Sequence, residues 1–237
     1  MDTTKTGGFI EKYMTPIAVI LGAIIIAVAF AFGQGGNMGA APADQEAIAV
    51  DIKDVNLKDS PRVGSANAPV TLAVWYDYQC PYCQQLEQRV TVELYNTYVK
   101  EGKLQIVFKD FQFLGEDSDT AAVFGRAVYE AYPDHFYDWY KAMFDAQDDE
   151  GDQGFGDRAS IEALTRTIPG IDADRVIALV DSKSADYMKA IAADRDEGAS
   201  FGINGTPTAI LGTTLVSGNA LYSIENVRAM IDAELAK

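Results

Sequence analysis

The chain has 237 residues, 48% of them hydrophobic, which is enough for one medium-sized domain and some additional sequence. Its formal net charge is −16 and its pI is near 4.3, which argues against nucleic acid as a partner because phosphate binding requires a basic stripe. The only two cysteines, Cys80 and Cys83, lie three positions apart. They cannot form a framework of structural disulfides, so a hydrophobic core must hold the fold.

The first predicted element is an apolar segment over residues 17–33. It is at the short end of the roughly 17–25 residues that a helix needs to span a bilayer. A small-residue cleavage pattern, at 41–43, lies too far beyond it for an ordinary signal peptide. Lys5 and Lys12 precede the segment, so the positive-inside rule places the tail 1–16 in the cytoplasm and the remainder outside. We therefore expect an uncleaved transmembrane signal anchor, although a cleaved signal peptide would export the same domain.

The predicted globular domain covers residues 67–237 and follows a linker and polar lead-in over 34–66. Its first elements are a β-rich strand over 70–76, a helix after the cysteines, and a second strand over 104–108. The helix carries apolar residues every four positions: Leu86, Val90, Leu94 and Tyr98. Strand, helix and strand at this spacing predict a βαβ unit.

A helical insertion is predicted over about residues 117–200. Asp134 is expected to cap an aromatic-rich helix within it. Shorter helices are predicted at 160–167, 172–181 and 184–199. The pattern then returns to strands, at 208–211 and 213–217, before a final amphipathic helix capped by Ser223. The predicted order is β-α-β, helical insertion, β-β-α.

The segment Cys80-Pro81-Tyr82-Cys83 is the strongest chemical motif. At the first turn of a helix, Cys80 would lie beside unpaired N–H groups and the positive end of the helix dipole, which favour its thiolate. Pro81 suits this turn because it has no N–H to leave unpaired. Cys80 is thus predicted to attack and Cys83 to resolve the mixed disulfide. Tyr82, which brings no positive charge, predicts a milder oxidant than the strongest enzymes of this kind.

Other interpretations of these residues remain open. Half of a zinc site is one, but four ligands are required and the only histidine is His135, so no metal site is expected. An inert buried cysteine pair is another. The acidic segment 145–157 matches no calcium-loop spacing and is expected to be a solvated loop.

Four stretches together resemble the DsbA-like thioredoxin domains. They are GSANAPVTLAVWYDYQCPYCQQLE, FKDF at 108–111, HFYDWYKAMFDAQ, and GINGTPTAILG at 202–212. The resemblance covers most of residues 64–237, including the position of the helical insertion. It implies an α/β thioredoxin-like fold, here preceded by one transmembrane helix. It also implies no cofactor besides a redox-active Cys80–Cys83 disulfide.

The resemblance implies roles for two further residues and exposes one departure. Pro207 would be in the cis form facing the cysteines, and Thr206 would offer its backbone to an extended substrate. Many relatives carry a buried acid six positions before the first cysteine, where this chain has Val74. Asp77 is a candidate substitute, and Lys109 is a candidate for tuning the site.

These observations predict an extracytoplasmic, membrane-anchored thiol:disulfide oxidoreductase that introduces disulfides into exported, cysteine-containing proteins. The resemblance implies a membrane redox partner of the DsbB or vitamin K epoxide reductase kind. Two alternatives stay open. One is a membrane-anchored reductase or isomerase, and the other is a tethered, chaperone-like binding module without catalysis.

Overall fold

The structure, a computed structural model, describes residues 50–148 and 154–237. The predicted cytoplasmic tail, the signal anchor at 17–33 and the first part of the linker lie outside these residues. Within the described ranges, no helix has both the length and the apolar character needed to cross a membrane.

A five-stranded mixed sheet forms the centre of the domain, in the order β1-β3-β2-β4-β5. Its strands are β1 (Arg62–Val63), β2 (Val70–Tyr76), β3 (Leu104–Asp110), β4 (Thr208–Leu211) and β5 (Thr214–Ser217). Only the β2–β3 pair is parallel, as the predicted βαβ unit requires. The strand β1 comes from the polar lead-in, which also contributes a short 3-10 turn at Ile52–Asp54. Its polar sequence gave no strand signal, and pairing with β3 supplies what local propensity lacks.

The helix after the cysteines, α1, covers residues 81–99 and contains two π-helical stretches, at Glu87–Thr91 and Tyr95–Val99. Apolar residues spaced four apart drift around an ordinary α-helix, which has 3.6 residues per turn. The wider π-helical turns offset this drift. Leu86, Val90 and Leu94 consequently all remain buried on one side.

The helical insertion is confirmed, with two corrections to its elements. Its helices are α2 (Glu116–Ala131), α3 (Phe136–Ala146), α4 (Arg158–Thr165) and α5 (Ala173–Ser200). The two helices predicted around residue 183 are one, because no glycine or proline interrupts the chain there and Ser182 bonds back to a carbonyl of the preceding turn. The predicted cap at Asp134 is wrong, since this residue lies inside a 3-10 turn and the helix begins after His135 without a side-chain cap.

The last two helices are α6 (Asn219–Tyr222) and α7 (Ile224–Leu235). Ser223 caps α7 as predicted, with its hydroxyl accepting the Asn226 N–H at 3.3 Å. The short helix α6 was not predicted, because four residues are too few to show helical periodicity.

Alternation along the strands gives the sheet two different faces. The face with Val74, Tyr76 and Phe108 packs with the cysteines and an aromatic cluster from α3. The opposite face holds Trp75 in a second, smaller apolar cluster. Lys109 lies on this opposite face, so the two faces carry separate chemistry.

Candidate active site

Cys80 is the N-cap of α1 and has extended backbone angles, φ −80° and ψ 117°. Pro81 occupies the first turn, as predicted, where its missing N–H costs no hydrogen bond. The Cys80 N–H donates to the Asp77 carbonyl at 3.1 Å, and the Cys83 N–H donates to the Cys80 carbonyl at 2.9 Å. The first cysteine is thus fixed at the end of a loop that leaves β2, and the second lies one turn into the helix.

The side chain of Asp77 organises this loop. It accepts hydrogen bonds from the Gln79 N–H (2.9 Å), the Ser118 hydroxyl (2.7 Å) and the Phe113 N–H (3.1 Å). Burial raises the pKa of the carboxyl, and these hydrogen bonds oppose that rise. Asp77 therefore ties the cysteine loop to α2 and to the loop after β3, so both carboxylate oxygens are engaged in holding the backbone.

Amide side chains complete the support for this loop. Gln147 donates to the Tyr78 carbonyl at 2.7 Å, and Gln79 donates to the Phe155 carbonyl at 3.2 Å. Gln84 donates to the Phe144 carbonyl at 2.8 Å. The helical insertion thereby holds the active-site segment on both sides of the cysteines, a function that the sequence pattern did not indicate.

The two cysteines are unbonded in this structure, and their thiols differ in acidity. A hydrogen bond from the Cys83 thiol lowers the pKa of Cys80 to about 6, with further contributions from Thr206 and from the backbone N–H groups of Tyr82 and Cys83. Desolvation opposes this effect. Cys80 is therefore mainly a thiolate at neutral pH, which is the reactive form in thiol exchange.

Cys83 has the opposite property. Burial raises its pKa well above the ordinary value, and its hydrogen bond to Cys80 raises the pKa further. Both residues are buried, with 3% and 2% of their surface exposed, so accessibility hardly distinguishes them. The difference expected between an attacking and a resolving cysteine lies instead in the direction of the hydrogen bond between them.

The loop before β4 brings Thr206 and Pro207 against Cys80. The Thr206–Pro207 peptide bond is cis, as the resemblance implied. The Thr206 carbonyl oxygen lies 3.5 Å from Cys80 Sγ, across 126 residues of sequence. The predicted site residues of the motif and of this distant loop are thus brought together.

Tyr82 points outward and is 58% exposed, with its ring 6.4 Å from that of Tyr222 on α6. Its backbone N–H, rather than its ring, contributes to the low pKa of Cys80. The aromatic ring is therefore available as an apolar surface next to the cysteine. The sequence pattern did not indicate Tyr222, because it lies in the short helix α6.

Two candidates from the sequence have other surroundings. Lys109 does not face the cysteines, so the expectation that it tunes them is wrong. Its ammonium group is buried against Asp194 and Glu197, and its Nζ lies 2.8 Å from the Glu197 Oε2. Val74 is a buried residue of β2 on the cysteine side of the sheet. The position that carries an acid in many relatives is therefore apolar here.

An unpredicted acid, Glu87, is buried in the helix α1 with only 1% of its surface exposed. Its Oε1 accepts a hydrogen bond from the Tyr137 hydroxyl at 2.7 Å. Burial raises the pKa of Glu87 to about 7, although the Tyr137 hydrogen bond opposes the rise. The available sequence signal was its position four residues after Cys83, which places both side chains on one face of the helix.

Comparisons with known proteins agree with this geometry. The family model described as Thioredoxin matches residues 56–233. The chain is 27% identical over 176 residues to a probable disulfide bond formation protein D of Bacillus cereus, covering 74% of this chain and 78% of the relative. It is 23% identical over 180 residues to disulfide bond formation protein D of Bacillus subtilis, covering 76% and 79%.

Solved structures share the fold. BdbD from Bacillus subtilis in its oxidised form superposes with a TM-score of 0.71 at 21% identity, covering 81% of this chain and all of that one. DsbA of Chlamydia trachomatis superposes with a TM-score of 0.66 at 18% identity, covering 77% and 94%. At these identities the likeness concerns the fold alone.

Proposed function

Because the chain belongs to the thioredoxin family, and within it to the DsbA-like group, we propose that it is an extracytoplasmic protein thiol:disulfide oxidoreductase. It introduces disulfides into exported proteins by exchange through Cys80 and Cys83. The observation that carries this proposal is the placement of Cys80 at the start of α1, one helical turn before Cys83 and with the Thr206 carbonyl oxygen 3.5 Å from its sulfur. The pKa values agree with it, low at Cys80 and high at Cys83. The names of its relatives, which describe disulfide bond formation, point in the same direction.

The reaction begins with the Cys80–Cys83 disulfide. A substrate thiolate attacks the Cys80 sulfur, a mixed disulfide forms, and Cys83 leaves with the electron pair of the broken bond. A second substrate thiolate then attacks the substrate sulfur of the mixed disulfide, so the substrate leaves oxidised and Cys80 leaves as a thiolate. The low pKa of Cys80 favours this second step, because a stable thiolate is a good leaving group.

Three neighbouring residues support the exchange in this proposal. Thr206 and Pro207 form the surface beside Cys80 against which an extended substrate segment binds, with the Thr206 backbone available for pairing. Tyr82 adds an exposed aromatic surface on the other side of the cysteine. Pro81 tunes the site by starting the helix directly after Cys80.

The sequence and the family support a proposed location and a proposed redox partner. The apolar segment 17–33 anchors the protein in the membrane, with Lys5 and Lys12 on the cytoplasmic side and the catalytic domain outside. Turnover requires an acceptor for the two electrons that the enzyme takes from each substrate. A membrane quinone-linked partner of the DsbB or vitamin K epoxide reductase kind supplies that acceptor.

The test is an oxidative refolding assay of the full chain with a reduced, unfolded protein whose activity depends on its disulfides. The oxidised enzyme should restore activity stoichiometrically, while Cys80→Ser should restore none. A Cys80→Ser variant that still promotes recovery would contradict the enzyme and favour the chaperone-like binding module. An enzyme that reduces insulin disulfides readily but fails to oxidise the unfolded protein would favour the reductase.

A further inference from the structure

Breaking the Cys80–Cys83 bond creates a buried negative charge on Cys83. Because burial raises the pKa of this thiol well above its ordinary value, the departing sulfur must take up a proton. Among the described residues, the position that carries an acid in many relatives holds Val74, and both oxygens of Asp77 are engaged by the loop. Another buried acid near Cys83 is therefore a candidate proton source.

Glu87 is placed to be that source. Its N–H donates to the Cys83 carbonyl, so the two residues are related by one turn of helix and their side chains share a face. Burial chiefly raises the pKa of Tyr140 on α3, and the charges of Glu87 and Cys83 each raise it further. Both acids therefore act electrostatically on the same buried hydroxyl.

The carboxyl group of Glu87 has one engaged and one unengaged oxygen. The Tyr137 hydroxyl donates to Oε1, whereas the buried Oε2 accepts no hydrogen bond from any described residue. A buried polar atom without a hydrogen-bond partner is costly, and a catalytic role is one explanation for such an atom in a folded protein. The backbone at Glu87 also begins a π-helical stretch, an irregularity often found at functional sites.

Tyr137 connects this buried carboxyl to solvent. Its ring is stacked on Tyr95, with centroids 3.8 Å apart, and both residues line a surface cavity of about 420 Å³. Cys83, Glu87 and Tyr137 thus follow one another from the cysteine end of α1 toward this cavity. A proton lost from Glu87 can be replaced from that side without opening the cysteine site.

We propose that Glu87 is the internal proton donor to Cys83 during disulfide exchange, replacing the acid that Val74 lacks. This inference rests on the proposed thiol exchange. When the disulfide breaks, the proton moves from the Glu87 carboxyl to the Cys83 sulfur, which leaves a Glu87 carboxylate and a neutral thiol. Solvent then reprotonates Glu87 through the cavity at Tyr137. In the reverse direction, Glu87 takes the proton from Cys83 before the disulfide closes.

The surroundings of Glu87 define the pH range of this transfer. Burial chiefly raises its pKa, to about 7, while the Tyr137 hydrogen bond and the Lys141 ammonium lower it and Asp145 raises it. Tyr222 on α6 also responds to the two cysteines. Burial chiefly raises the pKa of Tyr222, and the charges of Cys83 and Cys80 raise it further. The protonated form of Glu87 is therefore present below about pH 7 and is depleted above it.

The experiment measures the rate at which dithiothreitol reduces the oxidised full chain between pH 5 and pH 9, with each rate constant divided by the thiolate fraction of the reagent. The wild type should show an inflection near pH 7. Glu87→Gln should lose that inflection. Tyr137→Phe, which keeps the carboxyl but removes a hydrogen bond that lowers its pKa, should move the inflection to higher pH. Glu93→Gln, a partly exposed glutamate of the same helix paired with Arg228, serves as the matched control and should leave the profile unchanged.

An inflection near pH 7 that persists in Glu87→Gln would overturn the proposal, as would an unshifted profile in Tyr137→Phe. These results leave the proposed function intact, provided that Cys80→Ser abolishes exchange. If the wild type itself undergoes no reduction by dithiothreitol, the proposed function fails first.

Discussion

Replacing Cys83 tests the origin of the acidity of Cys80. The largest cause of the low pKa of Cys80 is the hydrogen bond that the Cys83 thiol donates to the Cys80 thiolate. Cys83→Ala removes this donor, while the Thr206 and backbone contacts remain. We therefore expect the thiolate of Cys80 to become less stable and its pKa to rise.

The size of the rise follows from the strength of one hydrogen bond. A hydrogen bond to a charged group contributes about 1.5–3 kcal/mol. At about 1.4 kcal/mol per pKa unit, this corresponds to a rise of about one to two units. The pKa of Cys80 should therefore increase from about 6 to about 7–8 in Cys83→Ala.

The assay is the absorbance of the thiolate near 240 nm, followed from pH 4 to pH 10 on reduced protein. Cys83→Ala leaves a single cysteine, so the titration reports Cys80 alone. Cys83→Ser is the matched control, because its hydroxyl retains a donor and should keep the midpoint close to that of the wild type. A midpoint that stays near pH 6 in Cys83→Ala would refute the reasoning and assign the acidity to the end of the helix instead.

Three other predictions concern stability. Because the pKa of Glu87 in the folded protein is raised to about 7, its stabilising contribution is present at low pH and is lost as pH rises through that value. Between pH 5 and pH 8, the free energy of unfolding of Glu87→Gln in urea should therefore increase by about 2–3 kcal/mol relative to that of oxidised wild type. A difference that does not change with pH would contradict this. Arg126→Met should cost about 3–5 kcal/mol, because it leaves the buried carboxylate of Asp110 without its paired cation, whereas Arg158→Met in exposed ion pairs should cost less than about 1 kcal/mol; equal losses in urea unfolding would refute the distinction. Gly198→Ala should lower the thermal midpoint, because a new Cβ would lie 2.6 Å from the Trp75 indole nitrogen, and an unchanged midpoint would show that the ring can move freely.

The sheet and the final helix could be predicted from sequence because their signals are local. Each of the four predicted strands is a short β-rich run bounded by turns, and Ser223 directly precedes an amphipathic pattern. The strand β1 could not be predicted, since two residues carry no periodicity and only pairing with β3 makes them a strand. The length of α5 was underestimated, since two helices were predicted where the structure has one; the polar residues near position 183 face solvent, and a helix accepts them there.

The candidate site shows the same difference between residues with a local sequence signal and residues placed by tertiary packing. The spacing of the cysteines placed Cys80 and Cys83 at the start of a helix, and the resemblance placed Pro207 beside them. The orientation of Lys109 was not predictable without the register of β3, because adjacent strand residues point to opposite faces of the sheet. Glu87 was hidden for a different reason: a glutamate in a helix ordinarily faces solvent, and only tertiary packing against Tyr137 buries it.

The most direct test of the central claim is the reduction potential of the full chain, measured against glutathione or dithiothreitol buffers at pH 7. With the pKa of Cys80 at about 6, about one unit below that of thioredoxin, the reduced form gains stability equivalent to about 20–40 mV. We predict a reversible two-electron transition above thioredoxin at about −270 mV and below DsbA at about −120 mV. A potential at or below that of thioredoxin, or no reversible transition at all, would contradict it.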